Sequence, residues 1–234
     1  ESVSTVGYLT SETILVSCTK GFDAPLLKFP FEVLKEFYPR NTIGVISGPM
    51  ISEELEKNLP TRATIASDNP AKIKKVVDLF SGTNLTLEPS EDLVGISLLG
   101  ILKNIYALAL GLSDGLNLGF NFKSCLTLQS FQEMELIIVK SGGKKESLMS
   151  PAGIADLLAT GYCPKSRNYT YGFKKARGES LEGIMAEGFT NIENVISKAG
   201  NVEEYMLLKM IKGIFLDDVN PRVIIDVIKF IERV

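Results

Sequence analysis

Residues 93–112, LVGISLLGILKNIYALALGL, form a long apolar segment in which the one charged residue is Lys103. Burying an unpaired ammonium group costs free energy, so a lysine in such a segment normally loses its proton or pairs with a carboxylate. Two interpretations of Lys103 are therefore open. It forms an ion pair in the core, or it takes part in catalysis.

The same segment is long enough to cross a membrane. A lysine at the centre of a membrane span costs about 2.5–3.5 kcal/mol on insertion scales, and Asn104 beside it adds to that cost. Several amphipathic segments follow and need a shared core to bury their apolar faces. The segment is therefore predicted to be a buried core helix, with no membrane span.

The composition is that of an ordinary globular protein, with 45% hydrophobic and 23% charged residues among 234 and a net charge of -3. This balance gives no reason to expect a nucleic-acid partner. Cys18, Cys125 and Cys163 have neither metal-ligand nor disulfide spacing, which indicates buried thiols in a reducing compartment such as the cytoplasm. The chain has no histidine, which excludes histidine-based acid–base chemistry and most zinc sites.

The first 90 residues alternate between strand and helix patterns, which predicts an α/β sheet. Asn69-Pro70 is typical of a capped helix start, with proline at the first helical position. The predicted strands are residues 13–18, 42–47, 62–67 and 84–90, and the predicted helices are residues 30–38, 52–59 and 70–80.

Beyond residue 90 every pattern is helical, so the chain divides into an α/β part, residues 1–90, and an all-helical part, residues 91–234. Ser150-Pro151 is expected to start a helix that ends at Gly161. Asn168 is expected to cap the next helix, which Gly178 closes. Residues 190–193, TNIE, have the spacing of a capping box.

Polar residues concentrate at a few places in the helical part. Residues 114–121, DGLNLGFN, read as a glycine- and asparagine-rich loop. Asp156 and Thr160 are four residues apart, so both side chains lie on one helix face. Residues 166–168, Ser-Arg-Asn, open a helix, and a helix N-terminus beside an arginine suits a phosphate or carboxylate. A core ion pair, a plain turn and a surface arginine are the structural alternatives.

Taken together, these residues resemble NAD-dependent glycerol-3-phosphate dehydrogenases. The matching runs extend from about Ile14 to the end of the chain, and the order of LKN, AGIADL and SRN is specific to the family. The runs are CTKGF (18–22), SGPMISEEL (47–55), GILKNIYALALGLSDGLNLGFN (100–121), SPAGIADLLAT (150–160), SRNYTYG (166–172) and AEG (186–188).

The resemblance implies the C-terminal part of a Rossmann-type dinucleotide-binding domain followed by a helical substrate domain, in a homodimer. It implies reversible hydride transfer between glycerol 3-phosphate and NAD or NADP, giving dihydroxyacetone phosphate, without a metal. Lys103 would be the general acid/base and Lys20 a second active-site lysine. The substrate-binding residues would be Asn104, Asp156, Thr160, Ser166, Arg167 and Asn168, and the cofactor-binding residues Arg167 and Glu187.

The chain departs from the family pattern in one large respect. The fingerprint G-x-G-x-x-G after an opening strand is absent from the 234 residues. We therefore expect the first nucleotide-binding segment to be missing and the chain alone to be inactive or weakly active. Two alternatives remain open: a related dehydrogenase of hydroxy acids or sugar phosphates, and a degenerate, non-catalytic binding protein.

Overall fold

The structure is a computed structural model that describes residues 9–23 and 26–233, with side chains up to Lys229. The chain folds as two compact units. One consists of residues 1–100 together with 142–156, and the other of residues 101–141 together with 157–234.

The first unit contains a four-stranded mixed sheet with the order β1-β2-β3-β4. Strand β1 runs parallel to β2, β2 antiparallel to β3, and β3 parallel to β4. The carboxyl ends of β1 and β2 therefore share one edge of the sheet. The strands are Ile14–Ser17 (β1), Thr42–Ser47 (β2), Thr61–Ser67 (β3) and Leu85–Ser90 (β4), so all four predicted strands are confirmed.

Three helices accompany these strands, as predicted: Pro30–Phe37 (α1), Ser52–Glu56 (α2) and Pro70–Leu79 (α3). The Asn69 side chain caps α3 by accepting a hydrogen bond from the Lys72 backbone N–H at 3.1 Å. Apolar residues of β2, β3, β4 and α3 form a buried cluster that holds this layer together: Ile46, Ala63, Ile65, Ile73, Val76 and Leu87.

The apolar segment forms the long helix Leu93–Gly115 (α4). Asp92 caps it by accepting a hydrogen bond from the Gly95 backbone N–H at 2.8 Å. By length and composition α4 could cross a membrane, but 89% of its most apolar window is buried in the folded chain. Burial of this extent is typical of the core helix of a globular protein.

No strand follows β4 in the described residues, which agrees with the predicted change from α/β to all-helical structure. The remaining α-helices are Gly119–Lys140 (α5), Asp156–Gly161 (α6), Arg167–Arg177 (α7), Glu187–Thr190 (α8), Ile192–Ala199 (α9) and Met206–Phe215 (α10). The 3₁₀ helices are Lys145–Met149, Val202–Glu204 and Pro221–Arg233, and Pro151–Ala155 is a π-helical turn.

Helices α4 and α7 pack unusually closely because glycines lie at their contact. A Cβ atom added to Gly111 of α4 would lie 2.0 Å from the backbone oxygen of Tyr169. A Cβ atom added to Gly172 of α7 would lie 1.9 Å from the backbone oxygen of Leu108. Neither contact leaves room for a side chain, so glycine at both positions sets the distance between the two backbones.

The structure corrects several local predictions in the helical part. The predicted loop at residues 114–121 is a turn of three residues, because α4 continues to Gly115 and α5 starts at Gly119. Helix α7 is capped by Ser166 rather than Asn168, which lies inside the helix. The side chain of Thr190 does not cap α9; its hydroxyl donates to the Glu187 carbonyl at 3.1 Å instead.

Two further corrections concern the π-helical turn and the thiols. The predicted helix from Pro151 to Gly161 begins with the π-helical turn and becomes α-helical at Asp156. The cysteines are free, as expected, but Cys18 and Cys125 are exposed, so the prediction of buried thiols is wrong for them. Spacing alone does not reveal which face of an element a thiol occupies.

Candidate active site

Lys103 lies within α4 and is 8% exposed. Its ammonium group donates a hydrogen bond to the Thr160 hydroxyl of α6 at 2.7 Å. Thr160 is also buried, so this polar pair is largely removed from water. The expected partner was a carboxylate, and the structure gives the Lys103 ammonium group a hydrogen bond to a hydroxyl. A threonine oxygen fixes the position of the amine without neutralising its charge.

Lys20 follows β1 and forms an ion pair with Asp156 at 2.9 Å. The same ammonium group donates to the Gly48 carbonyl, which follows β2, at 3.3 Å. The Asp156 side chain is 2% exposed and the Lys20 side chain 18% exposed. The carboxylate is thus buried and paired, while the lysine retains some access to solvent at the carboxyl edge of β1 and β2. Ligands of open α/β sheets commonly bind at this edge.

The π-helical turn, Pro151–Ala155, directly precedes Asp156, which is the first residue of α6. The backbone N–H of Ala152 donates to the Thr64 hydroxyl of β3 at 3.3 Å. A Cβ atom on Gly153 would lie 2.0 Å from the Leu148 carbonyl oxygen, so the turn packs directly on the preceding 3₁₀ helix. π-Helical turns are rare in proteins, and those that occur are often found at functional sites. Here the turn anchors the backbone immediately before the buried carboxylate.

A second polar network joins α4, α7 and α8. The Asn168 amide donates to the Asn104 side-chain oxygen at 2.9 Å and accepts from the Gly188 backbone N–H at 2.8 Å. The Asn104 amide in turn donates to the Glu187 carboxylate at 3.1 Å. A Cβ atom on Gly188 would lie 2.2 Å from the Asn104 carbonyl oxygen, so α8 approaches the α4 backbone directly. These contacts fix both amides in one orientation.

Arg167 lies at the edge of this network with its side chain 62% exposed. Its guanidinium group is 3.5 Å from the Glu187 carboxylate, which is 48% exposed. Ser166 begins the helix and accepts a hydrogen bond from the Tyr169 backbone N–H at 3.4 Å. A helix N-terminus and an exposed guanidinium group are both suited to an anion. The surface ion pair is weak enough to be exchanged for a ligand contact.

The structure thus brings the predicted residues together in separate groups. Lys20 meets Asp156, Lys103 meets Thr160, and Asn104 meets Asn168 and Glu187, which pairs with Arg167. Sequence reasoning missed the backbone N–H of Gly188, because a backbone donor leaves no mark in a residue pattern. In the part of the chain that the structure describes, no cluster of His, Cys, Asp or Glu could hold a metal ion.

Comparison with known proteins decides the family. The model of the C-terminal domain of NAD-dependent glycerol-3-phosphate dehydrogenases matches residues 92–226. The model of the N-terminal domain of the same family matches residues 2–73. The chain belongs to the NAD-dependent glycerol-3-phosphate dehydrogenase family. This confirms the resemblance and the fold class, a Rossmann-type part followed by a helical part.

Relatives in this family support the assignment. A glycerol-3-phosphate dehydrogenase [NAD(P)+] of Acaryochloris marina is 37% identical over 83% of this chain and 64% of its own length. The enzyme of the same name from Pseudomonas fluorescens is 36% identical over 83% of this chain and 59% of its own length. The chain thus spans about three fifths of these relatives.

A solved structure agrees with the fold. The crystal structure of glycerol-3-phosphate dehydrogenase from Coxiella burnetii superposes with a TM-score of 0.83 and 29% identity, over 94% of this chain and 69% of that one.

Proposed function

We propose that the protein carrying this chain is a glycerol-3-phosphate dehydrogenase. It interconverts glycerol 3-phosphate and dihydroxyacetone phosphate with NAD or NADP. The observation that carries the proposal is a buried lysine, Lys103, held by the Thr160 hydroxyl in a chain of this family. The activity for which these relatives are named favours this function over the related hydroxy-acid and sugar-phosphate dehydrogenases and over a non-catalytic role.

In this proposal Lys103 moves a proton at the C2 oxygen of the substrate. In oxidation the C2 hydrogen leaves as a hydride, and the hydroxyl proton passes to the neutral amine of Lys103. In reduction the Lys103 ammonium group returns that proton to the carbonyl oxygen. Thr160 holds the nitrogen through its 2.7 Å hydrogen bond, so the amine does not have to be ordered during the reaction.

The phosphate of the substrate is assigned to the start of α7. Arg167 supplies an exposed guanidinium group and Ser166 caps the helix whose N-terminal dipole favours an anion. The hydrogen bond from Asn168 to Asn104 uses one of the two N–H groups of the Asn168 amide. The other is proposed to donate to the substrate. Asn104 is held by Asn168 and Glu187 in a fixed orientation beside Lys103.

Lys20 and Asp156 act as a pair in this proposal. Because Asp156 is buried, its charge is stable only with a close cation, and Lys20 supplies it at 2.9 Å. The ammonium group, held by Asp156 and the Gly48 carbonyl, has a defined direction. We assign Lys20 the role of second active-site lysine, which stabilises negative charge on the substrate.

The residues present fit a dinucleotide cofactor. Arg167 offers a cation suited to a pyrophosphate, and Glu187 offers a half-exposed carboxylate that can accept from ribose hydroxyls. The nicotinamide ring, when bound, supplies the acceptor and donor of the hydride. We propose cofactor contacts for Arg167 and Glu187.

The test is NADH oxidation with dihydroxyacetone phosphate by the full-length gene product. Lys103→Ala should reduce kcat by about 10²–10⁴-fold, the usual contribution of a general acid/base. The matched control is Lys57→Ala, since Lys57 is an exposed lysine and its loss should leave kcat unchanged.

An unchanged kcat in Lys103→Ala would refute the role of Lys103. Absence of turnover by the wild-type enzyme would refute the function itself. Robust turnover by the 234-residue chain alone would contradict the prediction that this chain is inactive or weak.

We further propose that the protein is a cytoplasmic homodimer. Free, partly exposed cysteines are stable in a reducing compartment, which supports the cytoplasmic location.

The dimer is proposed from helix α5, which carries three large apolar side chains that are about half exposed. Exposed apolar surface often marks a protein interface. They are Leu128 at 57%, Leu136 at 48% and Val139 at 49%. We also propose that residues 1–90 serve cofactor binding and residues 91–234 serve substrate binding and catalysis.

A further inference from the structure

A buried cation that the proposed mechanism does not use lies near the start of α5. The Lys123 side chain is 4% exposed and forms an ion pair with Asp114 of α4 at 2.6 Å. Its ammonium group also lies 4.0 Å from the ring centroid of Tyr162 and 5.0 Å from that of Tyr169. A carboxylate and two aromatic faces together offset the cost of burying the charge.

Asp114 has a second donor. The Tyr169 hydroxyl donates a hydrogen bond to the same carboxylate oxygen at 2.7 Å. Burial, and then this bond to Asp114, raise the pKa of Tyr169 above its ordinary value, so the phenol stays protonated and remains a donor at neutral pH. Lys123 therefore holds Asp114, and Asp114 holds Tyr169.

Tyr169 belongs to the first turn of α7, which also carries Arg167 and Asn168. Its backbone N–H donates to the Ser166 hydroxyl that caps the helix, while its side chain reaches Asp114 at the end of α4. The first turn of a helix is the part most prone to fray, because its N–H groups have no partner within the helix. A charge-assisted hydrogen bond from this turn to a neighbouring helix opposes the fraying.

We propose that Asp114, Lys123 and Tyr169 are positioning residues that fix the first turn of α7, and with it the anion-binding groups of Arg167 and Asn168. The assignment of an anion to this turn rests on the proposed function. The three residues do not touch the substrate. They act by fixing the relative positions of the Ser166 cap, the Arg167 guanidinium group and the Asn168 amide. Their loss therefore weakens substrate binding more than it slows the chemical step.

The test is Tyr169→Phe, which removes one hydroxyl group and leaves the Lys123–Asp114 pair in place. The matched control is Tyr171→Phe, which removes a hydroxyl group from the same helix at a ring that packs on Phe189 and Phe215. Because hydrogen bonds to charged groups are among the stronger ones, Tyr169→Phe should raise KM for dihydroxyacetone phosphate roughly 3- to 10-fold with kcat changed less than about twofold. The control should leave both constants unchanged.

A second measurement does not depend on turnover. Amide hydrogen exchange in the first turn of α7 should be several-fold faster in Tyr169→Phe than in wild type, and unchanged in Tyr171→Phe. Wild-type exchange rates and an unchanged KM in Tyr169→Phe would overturn the positioning role. Faster exchange with an unchanged KM would equally overturn it, because the turn would then not serve the anion. If the wild-type protein shows no turnover, the proposed function fails, and exchange together with the affinity for inorganic phosphate still decides the positioning role.

Discussion

The buried carboxylate of Glu133 gives the sharpest prediction on stability. Glu133 is 1% exposed on α5 and accepts four hydrogen bonds. Leu207 N–H donates at 2.6 Å and Leu208 N–H at 2.9 Å, while Gln129 and Tyr106 each donate at 3.0 Å. Leu207 and Leu208 lie in the first turn of α10, where backbone donors lack partners within the helix. Glu133 therefore caps α10 from another helix.

Glu133→Gln tests this arrangement. The two backbone donors use different carboxylate oxygens, so either orientation of the new amide places its NH₂ group against one backbone N–H. An unsatisfied buried donor costs about 1–3 kcal/mol, which is the expected decrease in the free energy of unfolding at pH 7. Removal of a buried charge offsets part of this cost. Urea denaturation measures the difference, with Glu193→Gln on the exposed side of α9 as the control.

The result that would refute the reasoning is a Glu133→Gln variant whose free energy of unfolding equals that of Glu193→Gln. A pH series gives a second check. Burial is the main cause that raises the pKa of Glu133 above its ordinary value of 4.5. A raised folded-state pKa contributes stability that is complete below the unfolded-state pKa and is lost as pH rises through the folded-state value. Wild type should lose this part of its stability over that window, whereas Glu133→Gln should not.

The remaining predictions concern helix packing and assembly. Gly172→Ala should lower the free energy of unfolding by about 3 kcal/mol or more. The new Cβ atom would lie 1.9 Å from the Leu108 carbonyl oxygen, so α4 and α7 would have to separate. A melting temperature like that of wild type would contradict this packing. Leu128→Glu should convert the proposed dimer to a monomer, because it places a charge in the exposed apolar face of α5. Light scattering measures the mass of both proteins. A variant that has the same dimeric mass as wild type would show that the interface lies elsewhere, and a monomeric wild type would refute the proposed dimer.

Much of the secondary structure could be predicted because its causes are local. Short runs rich in apolar and β-branched residues predict the four strands, and Asn69-Pro70 starts α3 where the pattern indicates. Gly178 ends α7 in the left-handed conformation, with φ of 67°. The errors arise where two local signals compete. Ser166 and Asn168 are both good cap residues, and the tertiary contacts of Asn168 with α4 and α8 assign the cap to Ser166.

In the candidate site, too, some residues could be predicted from local sequence and others could not. Lys103 could be singled out because one charge in an apolar helix is costly wherever the helix packs. Glu133 gave no such signal, because Gln132 and Glu135 lie beside it in α5 and the local sequence is polar. Lys123 and its aromatic neighbours carried a weaker signal, since their spacing along the chain matches no simple motif.

The sequence by itself determined the family, the change from α/β to helical structure, and the chemical types of the candidate site residues. These depend on motif order, on periodicity and on the cost of burying charge, all of which can be read from neighbouring positions. The tertiary structure alone decided the partners: Thr160 for Lys103, Lys20 for Asp156, and Gly188 for Asn168. Each partner is distant in the chain, and directional hydrogen bonds form only once packing has brought donor and acceptor within about 3 Å.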